Sequence, residues 1–278
     1  MLRDRVQTAL IMEDDIDWDV MLKAQMTELA RGTRYIQRAS ETDHSPYGDG
    51  WDIISTGHCG LWNKVNDDQE YWVIENDPTV PNKRHDTFWR KPNLTPAVLS
   101  GNQTRVVLSQ GKFSCTASYA ITLQGAARMI YDQQVLPNAA AIDMALGGLC
   151  KRMPYGYNSC LAAYPMITGT HRPAGDPAKY SDRTERVNKP FTKTSVSRGL
   201  MYPVRLNLGA LLKGETVIKA QYQESAMFKE IDMQTLDMPR GRPVFVRASE
   251  YLNKELKSID DLRAGAEEEE KESSAGLV

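Results

Sequence analysis

Short apolar runs that stop abruptly at polar residues recur along the first two thirds of the chain. Residues 6–12 are mostly apolar and lead directly into an acidic cluster, which is the pattern of a buried strand that ends at a sheet edge. Similar runs predict further strands at 51–56, 71–75, 105–108, 118–122 and 160–168. Apolar residues at helical spacing predict helices over 18–30, which Gly32 ends, over 123–131, and from 140 onwards.

Four acidic residues lie within five positions of the first predicted strand: Glu13, Asp14, Asp15 and Asp17. Crowded carboxylates repel one another, and a bound cation relieves that repulsion. Oxygen ligands suit Mn²⁺ or Mg²⁺ better than zinc, and ligands of open α/β sheets bind just beyond the carboxyl ends of the strands. The cluster therefore predicts a divalent-cation site. Acids at a strand-to-helix junction can also simply cap the helix, and that alternative stays open.

Two other side chains are candidates for chemistry. His58 lies in a four-residue segment bracketed by Gly57 and Gly60, which indicates backbone close to a ligand; a loop histidine satisfied by backbone is the alternative. Asp143 lies near the first turn of a predicted helix, where it could interact with the helix dipole or be directed into a cleft. Seven Lys or Arg against three acids in residues 172–198 could serve a phosphate-bearing ligand or form a solvated loop.

Composition narrows the function classes. The net charge of −2 and the absence of a basic, aromatic-interleaved stripe argue against nucleic acid as a partner. No apolar run approaches the roughly 18 residues that a transmembrane helix needs. The four cysteines show no CxxC spacing, which argues against structural zinc, and they could be free thiols or two disulfides.

These motifs together resemble those of the family 25 glycosyltransferases, specifically their fungal branch. The family includes bacterial lipopolysaccharide galactosyltransferases and animal procollagen galactosyltransferases. The resemblance covers residues 5–210, and its matching stretches are 9–20 (ALIMEDDIDWDV), 51–60 (WDIISTGHCG), 76–81 (NDPTVP), 119–122 with 125–126, 142–144, and 171–182.

The resemblance implies a GT-A type α/β fold that transfers a hexose, often galactose, from a UDP-sugar donor. The acceptor would be a hydroxyl of a glycan or protein, and the reaction would invert the sugar's configuration. The family's acidic, DXD-like motif falls on Glu13, Asp14 and Asp15, as the site for Mn²⁺ (or Mg²⁺) and the donor's diphosphate. A late histidine near the metal is expected in this fold, and His171 is the matching candidate.

Other residues are candidates for the same reaction. Asp143 is the candidate base that deprotonates the acceptor hydroxyl, and His58 is assigned to the donor site. Arg172 or Lys179 is expected to brace the second phosphate.

Family members normally begin well upstream, with a strand and helices that hold the nucleotide's base and ribose. The resemblance therefore implies an N-terminally truncated glycosyltransferase domain at 1–210, a C-terminal extension at 211–263 and a disordered acidic tail at 264–278. The expected location is the Golgi lumen of the secretory pathway if the full-length protein carries an N-terminal anchor, and the cytoplasm otherwise.

Two alternatives stay open. One is an inactive or truncated glycosyltransferase-like protein without catalysis. The other is a receiver-like signalling module with an acidic pocket, which needs a second aspartate at the end of a later strand. Asp52 stands instead at the start of its predicted strand, which directs it to the wrong edge of the sheet.

Overall fold

A computed structural model describes residues 1–64, 67–85, 88–99, 103–134, 141–152, 159–176 and 191–251. Its elements in chain order are β1 (Thr8–Met12), β2 (Ile16–Trp18), α1 (Leu22–Gln37), β3 (Ile53–Gly57), β4 (Gly60–Asn63), β5 (Gln69–Ile74), a 3₁₀ turn (Lys83–His85), β6 (Arg105–Ser114), β7 (Ser118–Thr122), α2 (Leu123–Gln134), α3 (Ile142–Arg152), β8 (Cys160–Tyr164), β9 (Thr168–Arg172), β10 (Val196–Ser197), α4 (Val204–Leu212), β11 (Val217–Lys219), β12 (Glu230–Asp232) and β13 (Arg242–Val246).

An eight-stranded mixed sheet forms the centre of the molecule. Seven strands follow the order β1-β7-β3-β8-β6-β5-β13, and β4 pairs with β6 beside this path. The expectation that the first strand is buried is wrong, because β1 lies at the edge of the sheet and most of its residues are exposed. Strands β3 and β8 are parallel, with Ile53 opposite Cys160, and the other pairs in the sheet are antiparallel. The fold is thus mixed α/β, as expected, while its finer assignment to the GT-A type stays a prediction.

Helices cover both faces of this sheet because neighbouring residues of a strand point to opposite sides. Ile53 packs in the cluster that holds Met129 of α2 and Leu146 of α3. Ile54, the next residue, packs in the cluster that holds Leu29 of α1. The sheet is therefore the middle layer of three.

Helix α3 lies very close to the sheet. A Cβ on Gly147 would lie 2.2 Å from the carbonyl oxygen of Phe113, so a side chain there would force the helix away from β6. A disulfide joins Cys150, in the last half of α3, to Cys160 at the start of β8. A second disulfide joins Cys59 to Cys115. Of the two alternatives for the cysteines, the structure has disulfides.

A small three-stranded sheet, β10-β9-β2, lies beyond the carboxyl end of β1. Residues 16–18 pair with 168–170 as β2 and β9, so α1 begins at Leu22 and not at residue 18 as expected. Gly32 does not end α1 either. It lies within the helix, where a Cβ would approach Val107 to 2.7 Å, so it allows the helix to lie against β6.

The chain after residue 210 is joined to the same body. The domain boundary expected at 210 falls inside α4, and β13 extends the main sheet by pairing with β5. The hydroxyls of Tyr71 and Tyr251 are hydrogen-bonded in the core. Among the residues that the structure describes, no helix is both long and apolar enough to cross a membrane. The predicted tail at 264–278 lies outside the described residues.

Candidate functional site

The acidic loop after β1, residues 13–19, is attached to the segment that precedes β7. The backbone N–H of Glu13 donates to the carbonyl of Ala117 at 2.9 Å, and the Thr116 hydroxyl donates to a Glu13 carboxylate oxygen at 3.2 Å. Glu13 and Asp14 are exposed, and Asp15 is partly buried. The loop thus presents two exposed carboxylates and one partly buried carboxylate at the sheet edge.

Asp17 is fully buried and holds the loop together from inside. Its carboxylate accepts hydrogen bonds from the Trp18 backbone N–H at 2.8 Å and the Ser197 hydroxyl at 2.6 Å. Both carboxylate oxygens also lie 3.2 Å from the backbone nitrogen of Arg205, in the first turn of α4. A carboxylate there stabilises the positive end of the helix. Asp17 therefore ties β2 to β10 and α4.

Asp19 has a similar structural role two residues further along the chain. Its two carboxylate oxygens accept the backbone N–H groups of Met21 and Tyr202, each at 2.9 Å. Burial raises the pKa of Asp19 to about 7, and the two N–H donors oppose that shift. The carboxyl group thus holds Met21, the residue before α1, and links it to Tyr202 in the later part of the chain.

Asp15 is the loop acid whose carboxylate the fold leaves incompletely satisfied. One oxygen forms an ion pair with the guanidinium of Arg172. The other oxygen, Oδ1, is buried and has no hydrogen-bond partner among the described residues. A buried acceptor without a donor costs about 1–3 kcal/mol, and more when it is charged. A bound cation or a ligand donor would remove that cost, so Oδ1 fits a metal ligand.

His171 lies directly beside Asp15, because its backbone N–H donates to the Asp15 carbonyl at 2.7 Å. Its ring Nδ1 is 2.9 Å from the Ser197 hydroxyl oxygen. That hydroxyl already donates its proton to Asp17, so its oxygen accepts from Nδ1–H. This chain of hydrogen bonds assigns the neutral tautomer whose lone pair is on Nε2, the form that binds metals.

Electrostatics keep His171 neutral. Burial lowers its pKa below the ordinary value of 6.5, and the nearby guanidiniums of Arg205 and Arg172 lower it further, while Asp17 and Asp15 oppose the shift. A neutral imidazole at pH 7 can donate its lone pair to a cation.

The described residues alone do not complete a metal site. Among them, no group of three or more His, Cys, Asp or Glu side chains is placed to hold a metal ion. Mg²⁺ sites in proteins commonly use one or two carboxylates, with waters and substrate phosphates as the other ligands. Asp15 supplies one such carboxylate, and His171, whose backbone is bonded to that of Asp15, supplies a neighbouring nitrogen. The expected contributions of Glu13 and Asp14 stay predictions.

Positive charge surrounds the loop. The Arg205 guanidinium donates to the backbone carbonyls of Asp14 and Ile16 at 2.8 and 2.9 Å. Arg172, predicted from the sequence, contacts Asp15 directly, whereas Lys179 lies outside the described residues. Ser197 and Arg205 were not predicted, because they are 180 to 191 residues from their partners in the acidic loop along the chain and no local pattern marks them.

Asp143 lies in the first turn of α3, the end of the helix that is directed towards the edge where the acidic loop lies. Gly147 touches the Phe113 backbone, and the next residue, Ser114, accepts the backbone N–H of Cys59, two residues beyond the end of β3. The C-terminal half of α3 is joined to the start of β8 by the Cys150–Cys160 disulfide, and β8 runs parallel to β3. The N-terminal end of α3 is therefore directed towards the edge where the carboxyl ends of β1 and β3 lie. The Asp143 carboxylate accepts the Met144 N–H at 2.8 Å, the contact of a helix-start acid.

His58 has the contacts of a structural histidine. It is buried, its Nε2 lies 3.0 Å from the Ala163 carbonyl oxygen, and its ring stacks on Phe88 with the centroids 5.2 Å apart. This matches the backbone-satisfied alternative, and a role in the donor site stays a prediction. The close approach at Gly60 is to Trp89, whose ring would lie 3.0 Å from a Cβ.

The receiver-like alternative finds little support in this geometry. Asp52 forms an ion pair with Arg128 at the amino end of β3, opposite the edge where the acidic loop lies. Comparison with models of known protein families, with curated proteins and with solved structures finds no match to this chain.

Proposed function

We propose that the chain is a metal-assisted glycosyltransferase of the GT-A type. It would transfer a hexose, with galactose as the first choice, from a UDP-sugar to a hydroxyl acceptor with inversion. The observation that supports this most is that Oδ1 of Asp15 has no hydrogen-bond partner among the described residues. The neighbouring His171 is in the tautomer that leaves the lone pair of Nε2 available. Both lie just beyond the carboxyl end of β1, where α/β proteins bind ligands.

In this proposal Asp15 and His171 would hold Mn²⁺ (or Mg²⁺). The ion, when bound, neutralises charge on the departing diphosphate, which is worth several kcal/mol and hence on the order of 10³-fold in rate. Arg172 and Arg205 place positive charge beside the same phosphates. Asp143 would accept the proton of the acceptor hydroxyl, a contribution of about 10²- to 10⁴-fold.

A second candidate, a glycosyltransferase-like protein without catalysis, is favoured by one contact. The Arg172 guanidinium already pairs with Asp15, so a fixed side chain supplies the positive charge that a metal would otherwise bring. In that case the loop would be stable without metal and would serve the fold only.

Donor turnover distinguishes the two candidates. UDP release from UDP-galactose, UDP-glucose and UDP-N-acetylglucosamine is measured by ³¹P NMR with and without Mn²⁺. The proposal predicts Mn²⁺-dependent release that falls on the order of 10³-fold in Asp15→Asn. The matched control is Asp4→Asn, the same substitution at an exposed residue that pairs with its neighbour Arg3. No release from any of these donors by the wild-type protein would favour the non-catalytic candidate.

The two disulfides bear on location. Disulfides persist in oxidising compartments and are rare in the cytosol. They support the secretory pathway over the cytoplasm among the two locations considered.

A further inference from the structure

A rigid aromatic surface lies next to the acidic loop and is separate from the site described above. It consists of Trp62, Trp89, Arg90 and Lys112, which we call the tryptophan platform. Trp89 is 63% exposed, although tryptophan is usually well buried. A large exposed ring among polar neighbours is an informative feature, because burying it would stabilise the fold.

Trp89 is held in place on three sides. Its indole N–H donates to the Ser114 hydroxyl at 3.0 Å, and its backbone N–H donates to the Cys59 carbonyl at 3.1 Å. Its ring meets Trp62 edge to face, with centroids 5.0 Å apart and an interplanar angle of 73°. Gly60 leaves room for the ring, because a Cβ there would lie 3.0 Å from it. The exposed ring is therefore pre-organised, which lowers the entropy lost when a ligand binds.

Two cations flank the rings. The Lys112 amine lies 5.4 Å and the Arg90 guanidinium carbon 5.9 Å from the centre of the Trp62 ring, both within cation–π range. Lys112 stands directly opposite Trp62 in the pairing of β4 with β6, so this arrangement is built into the sheet. Trp62 thus holds the cations, while the exposed ring of Trp89 faces solvent.

The platform is close to the proposed site along β6 and the turn after it. Ser114, which fixes the Trp89 ring, is two residues from Thr116, which donates to Glu13. Two Cα steps span at most about 8 Å. The backbone of the neighbouring residue Phe113 packs closely against Gly147 of α3, and the first turn of that helix contains Asp143. A ligand on the platform would extend towards both the acidic loop and the proposed base.

We propose that the tryptophan platform binds an oligosaccharide that carries carboxylate groups. One face of a pyranose ring presents C–H bonds with partial positive charge, which stack on the negative face of an indole. Arg90 and Lys112 supply charge for the sugar's carboxylates. Lys112 argues against a protein partner, because lysine is depleted in protein interfaces, whereas tryptophan and arginine suit either kind of partner. Resting on the proposed function, this inference makes an acidic glycan the acceptor class.

The test is calorimetric titration of the full chain with trigalacturonate and with neutral galactotriose, without donor or metal. Trigalacturonate is expected to bind more tightly, and Trp89→Ala to weaken its binding about 10-fold. Trp89→Phe should recover some of the loss, since it keeps a ring. Lys112→Gln should reduce the preference for the acidic sugar, because Arg90 alone then remains to pair with its carboxylates. Phe245→Ala, which removes another exposed ring on β13, should change nothing.

Several outcomes would overturn the inference. The first is that neither sugar binds, and the second is that Trp89→Ala leaves sugar binding unchanged. The third is that triglutamate binds as tightly as trigalacturonate and in a Trp89-dependent way, which would assign the platform to acidic polypeptides. Because donor is left out, this result is independent of the proposed function. If the protein turns over UDP-sugars but does not bind trigalacturonate, only the platform proposal is rejected. If it binds trigalacturonate but does not turn over UDP-sugars, only the proposed transferase function is rejected.

Discussion

At the scale of residues, four neighbouring aspartates after β1 have different tasks. Asp17 and Asp19 are buried and satisfied by backbone N–H groups and a serine hydroxyl. Asp14 is exposed, and Asp15 keeps one buried oxygen without a partner among the described residues. Asp17 and Asp19 serve the fold, so a substitution of Asp15 tests function with less damage to stability than a substitution of either of them.

Asp19 should make the stability of the protein depend on pH. Its pKa is raised by burial from 3.8 to about 7, so between these values the folded protein binds a proton that the unfolded chain has released. The free energy of unfolding should therefore fall as pH rises from about 4 to 7, by at most about 1.4 kcal/mol per pH unit, and then level off.

Denaturant unfolding from pH 4 to 8 measures this slope, and ¹³C NMR of the carboxyl group gives the titration directly. The difference between wild type and Asp19→Asn isolates Asp19 from other titrating groups. A carboxyl resonance that titrates near pH 4 would contradict the expected shift.

Asp143→Asn separates a base from a helix-start acid. If Asp143 accepts the acceptor's proton, sugar transfer should fall about 10²-fold or more while Mn²⁺ and UDP binding stay unchanged. If its contact with Met144 is its whole task, the substitution should cost roughly 1 kcal/mol of stability and leave transfer normal. Transfer rate and melting temperature are measured together, and a mutant that melts lower but transfers normally would remove Asp143 from the site.

The residue scale also shows what the sequence could predict of the site. Four acids after an apolar run are a local signal, so the loop was found. Its partners were not, because Ser197 and Arg205 reach it only through the pairing of β2 with β9 and the packing of α4. For the same reason no pattern could separate Asp15 from Asp17, whose burial depends on those distant contacts.

At the scale of elements, the two disulfides anchor different connections. Cys59–Cys115 spans 56 residues and fixes the turn before β4 to the end of β6, while Cys150–Cys160 spans 10 residues between α3 and β8. The loss of chain entropy in the unfolded state grows with loop length, and gives roughly 4 kcal/mol for the first bond and 3 kcal/mol for the second.

Serine pairs at each bond test this order. The variant with Cys59→Ser and Cys115→Ser should lower the free energy of unfolding more than the variant with Cys150→Ser and Cys160→Ser, as measured by denaturant unfolding under non-reducing conditions. It should also loosen Trp89, whose backbone is bonded to Cys59. Equal or reversed losses would show that packing at each bond outweighs chain entropy.

Helices and strands with a clear hydrophobic periodicity could be predicted from the sequence, whereas very short strands could not. The runs that became β1, β3 and β7 and the helical spacing of α1 and α2 gave clear signals. β2 has three residues, too few for a period, and Gly32 looked like a helix end because only tertiary packing shows that it faces β6. The polar stretch 61–103 hid β4 and Trp89, since their partners lie on β6.

At the scale of the whole molecule, the sheet brings distant segments to one edge. β1 and the turn before β7 meet there, α3 begins towards the same edge, and β9, β10 and α4 hold the acidic loop from the other side. The mixed strand order could not be predicted, because each antiparallel pairing depends on long-range contacts. The addition of β13 beside β5 likewise had no local signal.

In the proposed function, Asp15 holds a divalent cation that is shared with a nucleotide diphosphate. The direct measurement is calorimetric titration of UDP into the wild-type protein with and without Mn²⁺, repeated for Asp15→Asn and for the surface control Asp4→Asn. We expect UDP to bind measurably only when Mn²⁺ is present, and Asp15→Asn to abolish that binding while its melting temperature and the Asp4→Asn titration match wild type. UDP binding that is independent of Mn²⁺, or equal in Asp15→Asn and wild type, would contradict the claim.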